Sequence, residues 1–159
     1  QVREGVAGRV AYLLSLGGRV FLRGTTRPRA VQMGRLKWED QPTSILCICN
    51  GRHYGGGFMP VPEAMPDDGV LDILLVGEVS LATFLRLVRQ YARGHYRRYP
   101  QWVTAYHGQA VRFSAQEPIT VVVDGEIMRV TRFTVLLSEK KVNFFYPARA
   151  SYQPGPCQN

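Results

Sequence analysis

Apolar positions recur at two spacings along this chain. Residues 4–16 place Val6, Val10, Leu13 and Leu14 three or four apart, which predicts a short amphipathic helix stopped by Gly17 and Gly18. Alternation then takes over. Val20 and Leu22 share one side of residues 19–23, and residues 31–38 read as a strand after the break at Pro28. Residues 43–49 and 71–76 read as further, more deeply buried strands. Between them lie a glycine-rich loop over residues 50–57 and a stretch, 58–68, whose prolines exclude regular structure. Ser80 caps a second helix, in which Leu81, Phe84, Leu85 and Val88 repeat at helical spacing to about residue 93. Beyond Pro100, residues 110–115, 119–123, 126–137 and 141–146 are rich in the strand formers Val, Ile, Phe and Thr. The pattern predicts a mainly β domain, a two-sheet β-sandwich with one or two helices. Residues 1–150 would form it, with 151–159 a loosely held tail.

Composition narrows the class. At 159 residues, 45% hydrophobic and 20% charged, the chain can bury a core and is not a disordered tail. Its apolar runs, such as residues 45–49 and 70–76, fall short of the ~20 residues that span a bilayer. No signal peptide opens it, and Gln1 reads as a cut from something longer. Cys47 and Cys49 would share one strand face; with Cys157 they form no disulfide framework or zinc spacing, so reduced thiols in a cytoplasmic protein are expected. The +8 net charge favours anionic partners: nucleic acid, anionic lipid or phosphorylated substrates.

Four motifs could carry chemistry, and each has a plainer reading. Asp124-Gly125-Glu126 follows a strand; it is either a tight hairpin turn or two carboxylates presented at a sheet end, one of which could accept a hydroxyl proton. Residues 62–72 hold Asp67, Asp68 and Asp72 close together; they make either an acidic turn or an oxygen site for Mg²⁺ or Ca²⁺. Asn50 and the run Gly55, Gly56, Gly57 make either a connector or a loop whose amides approach an anion. Arg86, Arg89 and Arg93 share one side of the second helix, with Arg97 and Arg98 beyond it; they read as a solvated face or a surface for anionic headgroups. His53, His95 and His107 are scattered and read as surface or loop residues, and Trp38 and Trp102 as core or domain-contact residues.

Taken in order, the motifs are specific. Asn50-Gly51, Gly55-Gly56-Gly57, Pro62 with Ala64, Asp68-Gly69 with Leu71-Asp72, and Asp124-Gly125-Glu126 resemble the C-terminal domain of the bacterial diacylglycerol kinase family, which includes sphingosine kinases. Residues 8–12 also look like the helix before that family's first sandwich strands. The resemblance covers about residues 4–147 and implies two domains in the complete enzyme. An N-terminal domain similar to that of NAD kinases binds ATP through Gly-Gly-Asp-Gly-Thr, and a C-terminal β-sandwich carries the lipid pocket. These 159 residues contain no Gly-Gly-Asp-Gly-Thr, so the N-terminal nucleotide-binding domain is expected to lie outside them. By resemblance, Asp124 is the general base and Glu126 supports the cleft. Asp68 holds Mg²⁺ through its carboxylate, with Met65 and Val70 offering carbonyls, and Asn50, Gly55, Gly56 and Gly57 lie beside the interdomain cleft.

The expected reaction is γ-phosphoryl transfer from ATP to the hydroxyl of a diacylglycerol-like lipid, with the chain inactive without its nucleotide-binding partner. Expected partners are a lipid with a free hydroxyl, ATP, the missing domain in cis, and an anionic membrane surface met peripherally. A second copy could pair along an exposed sheet edge. The rival is a non-catalytic basic β module binding anionic lipid or nucleic acid. Nucleic acid is disfavoured, since aromatics do not interleave with the basic residues.

Overall fold

In the computed structural model the described residues are 28–54, 58–143 and 145. The helix expected over 4–16, the strand over 19–23, Gly55, Gly56, Gly57 and the tail 151–159 all fall outside them.

The strand expected over 31–38 is a hairpin, β1 (Pro28–Met33) and β2 (Leu36–Trp38), reversing at Gly34-Arg35. Gly34 has φ +59, and a Cβ there would meet Tyr106 Oη at 2.0 Å, so both backbone and packing require glycine. Next come β3 (Thr43–Cys49) and β4 (Leu71–Gly77), both as expected. The helix α1 (Leu81–Tyr91) and a 3₁₀ turn (Tyr96–Arg98) lead to β5 (Val103–Gly108), which periodicity did not predict. Pairing along its whole length with β4, from Val76–Val103 to Leu71–Gly108, holds β5 in place. The two strands expected over 110–123 are one, β6 (Ala110–Val123), with a register shift between Ser114 and Ile119. β7 (Glu126–Leu136) returns beside it, and residues 141–143 form no strand.

These strands make two antiparallel sheets, ordered β2-β1-β6-β7 and β3-β4-β5. The expected two-sheet β-sandwich is therefore what forms. Leu71, Ile73 and Leu75 of β4 pack against Val31, Met33, Val111 and Phe113 of the facing sheet. Trp38 packs on this core and donates its indole N–H to Thr43 Oγ1 at 3.0 Å. The other face of β4 is also covered. Leu74 joins Cys49, Val61, Ala64 and Tyr96, and Val76 joins Val79 and Phe84 under α1. The layers thus run sheet, sheet, helix.

Ser80 caps α1, its Oγ accepting from Thr83 N at 3.2 Å. Its buried stripe differs from the expected one. Phe84 and Leu87 are buried and Val88 and Tyr91 half-buried, whereas Leu81 and Leu85 are 48% and 55% exposed. The helix meets the sheet along positions 84, 87, 88 and 91, about a fifth of a turn or more away from residues 81 and 85. Arg86, Arg89 and Arg93 are exposed, on the side opposite that stripe.

Phe84→Ala or Leu87→Ala should lower unfolding free energy by about 2–5 kcal/mol, as removal of a buried side chain does. Leu81→Ala and Leu85→Ala should each cost under about 1 kcal/mol. Urea titration separates the two sets; a Leu85→Ala loss as large as Phe84→Ala would contradict this packing.

Candidate lipid pocket and its polar surroundings

Side chains seat α1 on the sheet, Met59 N donates to Ala92 O at 3.0 Å to tie its C-terminal end to the neighbouring loop, and a hollow is left beneath it. Ile45, Val76 and Val103 form its floor, Phe84, Leu87, Val88 and Tyr91 its roof, and Tyr54, Phe58, Val79, Tyr96 and Tyr99 its walls. The hollow measures about 50 Å³ and is almost wholly apolar. Tyr91 Oη is sealed from water beside it without a well-formed hydrogen bond, close to Cys47 and Tyr54. Burial, then the neighbouring Cys47 and Tyr54, push its pKa well up. Cys47 and Cys49 do share a strand face, with Sγ atoms 3.3 Å apart. Contact with the Cys49 thiol pulls Cys47 down from the ordinary thiol value, and the same contact together with burial pushes Cys49 up.

A polar row crosses the same sheet face one step further along. Register aligns Cys49, Asp72 and His107 across β3, β4 and β5. His107 Nδ1 donates to Asp72 Oδ1 at 2.7 Å, with the carboxylate side chain 5% and the imidazole 51% exposed. Burial raises the Asp72 pKa, His107 pulls it back, and nearby Asp68 and Glu63 add to the rise. Sequence reasoning set His107 aside. The signal was Asp72 itself, a carboxylate inside an otherwise apolar strand, which requires a partner.

The loops beside this row hold several of the sequence-predicted residues. Asn50 is exposed at the end of β3. Tyr54 and Phe58 exchange two backbone hydrogen bonds of 3.0 Å across residues 55–57, which are not described. Arg52 Nε donates to Ala64 O at 3.2 Å, tying this loop to the proline-rich one. There the acidic turn closes from Met65 to Asp68, one residue earlier than its sequence suggests, with Asp68 N donating to Met65 O at 3.5 Å. Pro66 takes the second position of that turn, where its fixed φ fits. Asp68 Oδ1 accepts from Val70 N at 2.9 Å. Met65, Asp68 and Val70 are thus gathered on one turn. Among the described residues no three His, Cys, Asp or Glu side chains cluster as metal ligands. An ion here would rest on one carboxylate and backbone carbonyls, an oxygen set that suits Mg²⁺.

Glu63 anchors the other end of the loop. Tyr96 Oη and Arg97 Nη2 both donate to its Oε1, Arg97 at 2.7 Å. Burial acts to raise the Glu63 pKa, but Tyr96, its own backbone N–H and Arg97 outweigh burial and bring it below the ordinary 4.5.

Asp124 and Glu126 stand apart from these loops. Asp124 and Gly125 are the two loop residues of the β6–β7 hairpin, between paired Val123 and Glu126, with φ +48 and +97. Both carboxylates are exposed, and neither takes a hydrogen bond or ion pair among the described residues. The turn lies at the end of the 14-residue β6 away from Ala110. His107 lies instead toward the Gly108 end, paired with Asp72, which pairs with Cys49 just before Asn50. The described residues therefore leave Asp124 and Glu126 on a hairpin apart from the Asp68 turn.

A match to the family of YegS C-terminal NAD kinase beta sandwich-like domains covers residues 22–143. The chain belongs to that family. A protein of Stenotrophomonas maltophilia (strain K279a), described as "Probable lipid kinase YegS-like", is 28% identical over 65% of this chain and 33% of its own length. A crystal structure of a diacylglycerol kinase from Bacillus anthracis str. Sterne superposes with a TM-score of 0.54 at 17% identity, over 77% of this chain and 43% of that one. That likeness speaks for the fold alone. The chain spans about a third of the length of the curated relatives it matches. None of its described helices is long and apolar enough to cross a membrane.

Because the Glu63 pKa is lowered on folding, its contribution to stability is present above pH 4.5 and lost as pH falls through the folded value. Glu63→Gln should therefore lower the urea midpoint at pH 7, and the gap from the parent should close in acid. A gap that widens on acidification would refute this assignment.

Proposed function

We propose that this chain is the lipid-substrate part of an ATP-dependent lipid kinase acting on a diacylglycerol-like hydroxyl, and that the apolar hollow under α1 receives the lipid. The hollow is the observation that carries the reading. Its lining is aliphatic and aromatic on every side, as an acyl chain requires. At about 50 Å³ it accepts only the first groups of a chain, so a bound lipid must lift α1, which rests on the sheet through side chains and is tied by its backbone at Ala92 alone among the described residues outside its own turns.

The reaction needs a base beside the acceptor and positive charge on the phosphates. Asp124 would take the hydroxyl proton as the γ-phosphoryl group of the substrate ATP arrives, with Glu126 supporting the cleft. Val122, Val123, Ile127 and Met128 are exposed around Asp124. Four uncovered apolar side chains at a hairpin tip support a surface that packs against another domain, the nucleotide-binding part of such an enzyme. Asn50, with Gly55, Gly56 and Gly57, would border the interdomain cleft from the loop end of the sandwich. Met65, Asp68 and Val70 would hold Mg²⁺, which there would brace their loop, and the positive charge on the phosphates would come mostly from the nucleotide-binding part. Peripheral contact with an anionic membrane through Arg86, Arg89 and Arg93, and pairing of copies along a sheet edge, belong to the same reading.

Asn tolerates the left-handed conformation of position 124, so Asp124→Asn should fold like the parent. In an enzyme joining this chain to an ATP-binding domain of a relative, the variant should lose about 10²–10⁴-fold in kcat. Full activity would remove Asp124 from the mechanism. Val88→Phe, which fills the hollow, should raise KM for lipid and leave KM for ATP unchanged. Equal effects on both substrates would count against a lipid in that hollow.

A further inference from the structure

The outer face of the β2-β1-β6-β7 sheet carries charge that neither the hollow nor the 124–126 turn uses. Register places Lys37, Gln32, Arg112 and Thr134 in one row across the four strands. Ala30, Ser114 and Arg132 make the row beside it. These positions alternate with the core residues Val31, Met33, Val111 and Phe113, so they point away from the core. Arg112 and Arg132 are diagonal neighbours on adjacent strands, with Ser114 and Thr134 at the other two corners. Together with Ala30, Gln32, Phe113 and Phe133 they line an open basin of about 440 Å³.

The chemistry of this basin is one-sided. No carboxylate lines it, and among the described residues neither arginine has an ion pair. Two guanidiniums roughly 7–8 Å apart at their roots repel one another, with Lys37 adding to the field from the end of the row. Burying a dianion between them would remove that repulsion. Guanidinium forks match the oxygens of a phosphate, and the two hydroxyls and the Gln32 amide can donate to the oxygens left over. Phe113 and Phe133 also border the basin, but their rings stack on one another and pack into the core, so a nucleic-acid strand finds charge there but no platform.

We propose that this basin is a phosphomonoester site, in which Arg112 and Arg132 grip the terminal oxygens and Ser114, Thr134 and Gln32 donate beside them. The phosphomonoester could be free in solution or carried on a lipid headgroup. The site is independent of the lipid hollow and of Asp124, and stands whether or not the kinase reading does.

Calorimetric titration with inorganic phosphate and flotation with phosphatidylcholine vesicles containing phosphatidic acid test it on the 159-residue chain. Phosphatidylglycerol vesicles, which carry a diester, serve as the comparison. Arg112→Gln with Arg132→Gln should weaken phosphomonoester binding at least about tenfold, since two charge-assisted contacts are lost. Arg86→Gln with Arg89→Gln, on α1, should change the affinity for inorganic phosphate less than about twofold, whatever it does to vesicle binding. Arg132→Lys, which keeps the charge and loses the fork, should fall between, and keeps the test alive should the double variant misfold. Binding to phosphatidic acid but not to free phosphate identifies the headgroup as the source; binding to both identifies the phosphomonoester itself. The proposal fails if neither probe binds, if the double variant binds like the parent, if the α1 pair weakens inorganic phosphate binding as much, or if the double variant loses phosphatidylglycerol and phosphatidic acid binding equally.

Discussion

The fold depends on β4 being buried on both faces. From Leu71 to Val76 every side chain is buried, an arrangement open only to a central strand with a layer on each side. Each of its five aliphatic side chains contributes about 1.5–3 kcal/mol by leaving water. No other strand among those described is enclosed along its length in this way. One face of β4 fixes the distance to the β2-β1-β6-β7 sheet, and the other fixes where α1 and the proline-rich loop must lie.

That double burial also sets where polar groups can stand. Asp72 is the exception within β4, and the strand tolerates it only because His107 on β5 reaches its carboxylate at 2.7 Å. The pair lies where β3 and β4 meet the loops at Asn50 and Asp68, so charge gathers at one end of the sheet. Toward the other end the same face is apolar, with Ile45, Val76 and Val103 in register beneath α1. The hollow under the helix follows from this. Phe84, Leu87 and Tyr91 are long enough to hold α1 off the sheet, and no side chain fills the centre.

Much of this was legible in the sequence for physical reasons that differ by element. β3, β4 and α1 carry strong periodicity, and Ser80 and Asp124-Gly125 carry turn chemistry that reads locally. The family pattern named the sandwich before any packing was known. β5 was not legible, because its residues alternate weakly and its existence depends on a β4 edge far away in sequence. The β1–β2 reversal was hidden behind Gly34, whose role comes from Tyr106, 72 positions later. The buried stripe of α1 was misplaced because Leu81 and Leu85 fit the helical period as well as Leu87 does. The tyrosines around the hollow, Tyr54, Tyr91, Tyr96 and Tyr99, carry no periodic signal and converge only in three dimensions.

The β6–β7 ribbon explains why the two carboxylates read so clearly in sequence lie so far outside the described fold. β1 pairs with β6 only from Val111 to Ala115. Beyond the register shift at Ser114, residues 119–123 and 126–130 pair with each other alone. A two-stranded ribbon is marginal in water by itself. An isolated ribbon would be expected to carry polar side chains, yet this one exposes Val122, Val123, Ile127 and Met128 on its two faces. Such a surface makes sense where another layer covers it, as the two sheets cover one another elsewhere. On the proposed reading the cover is the nucleotide-binding part of the enzyme. Asp124 would then lose its exposure at the same moment that ATP is brought to it, so that the carboxylate and its substrate would meet only in the assembled enzyme.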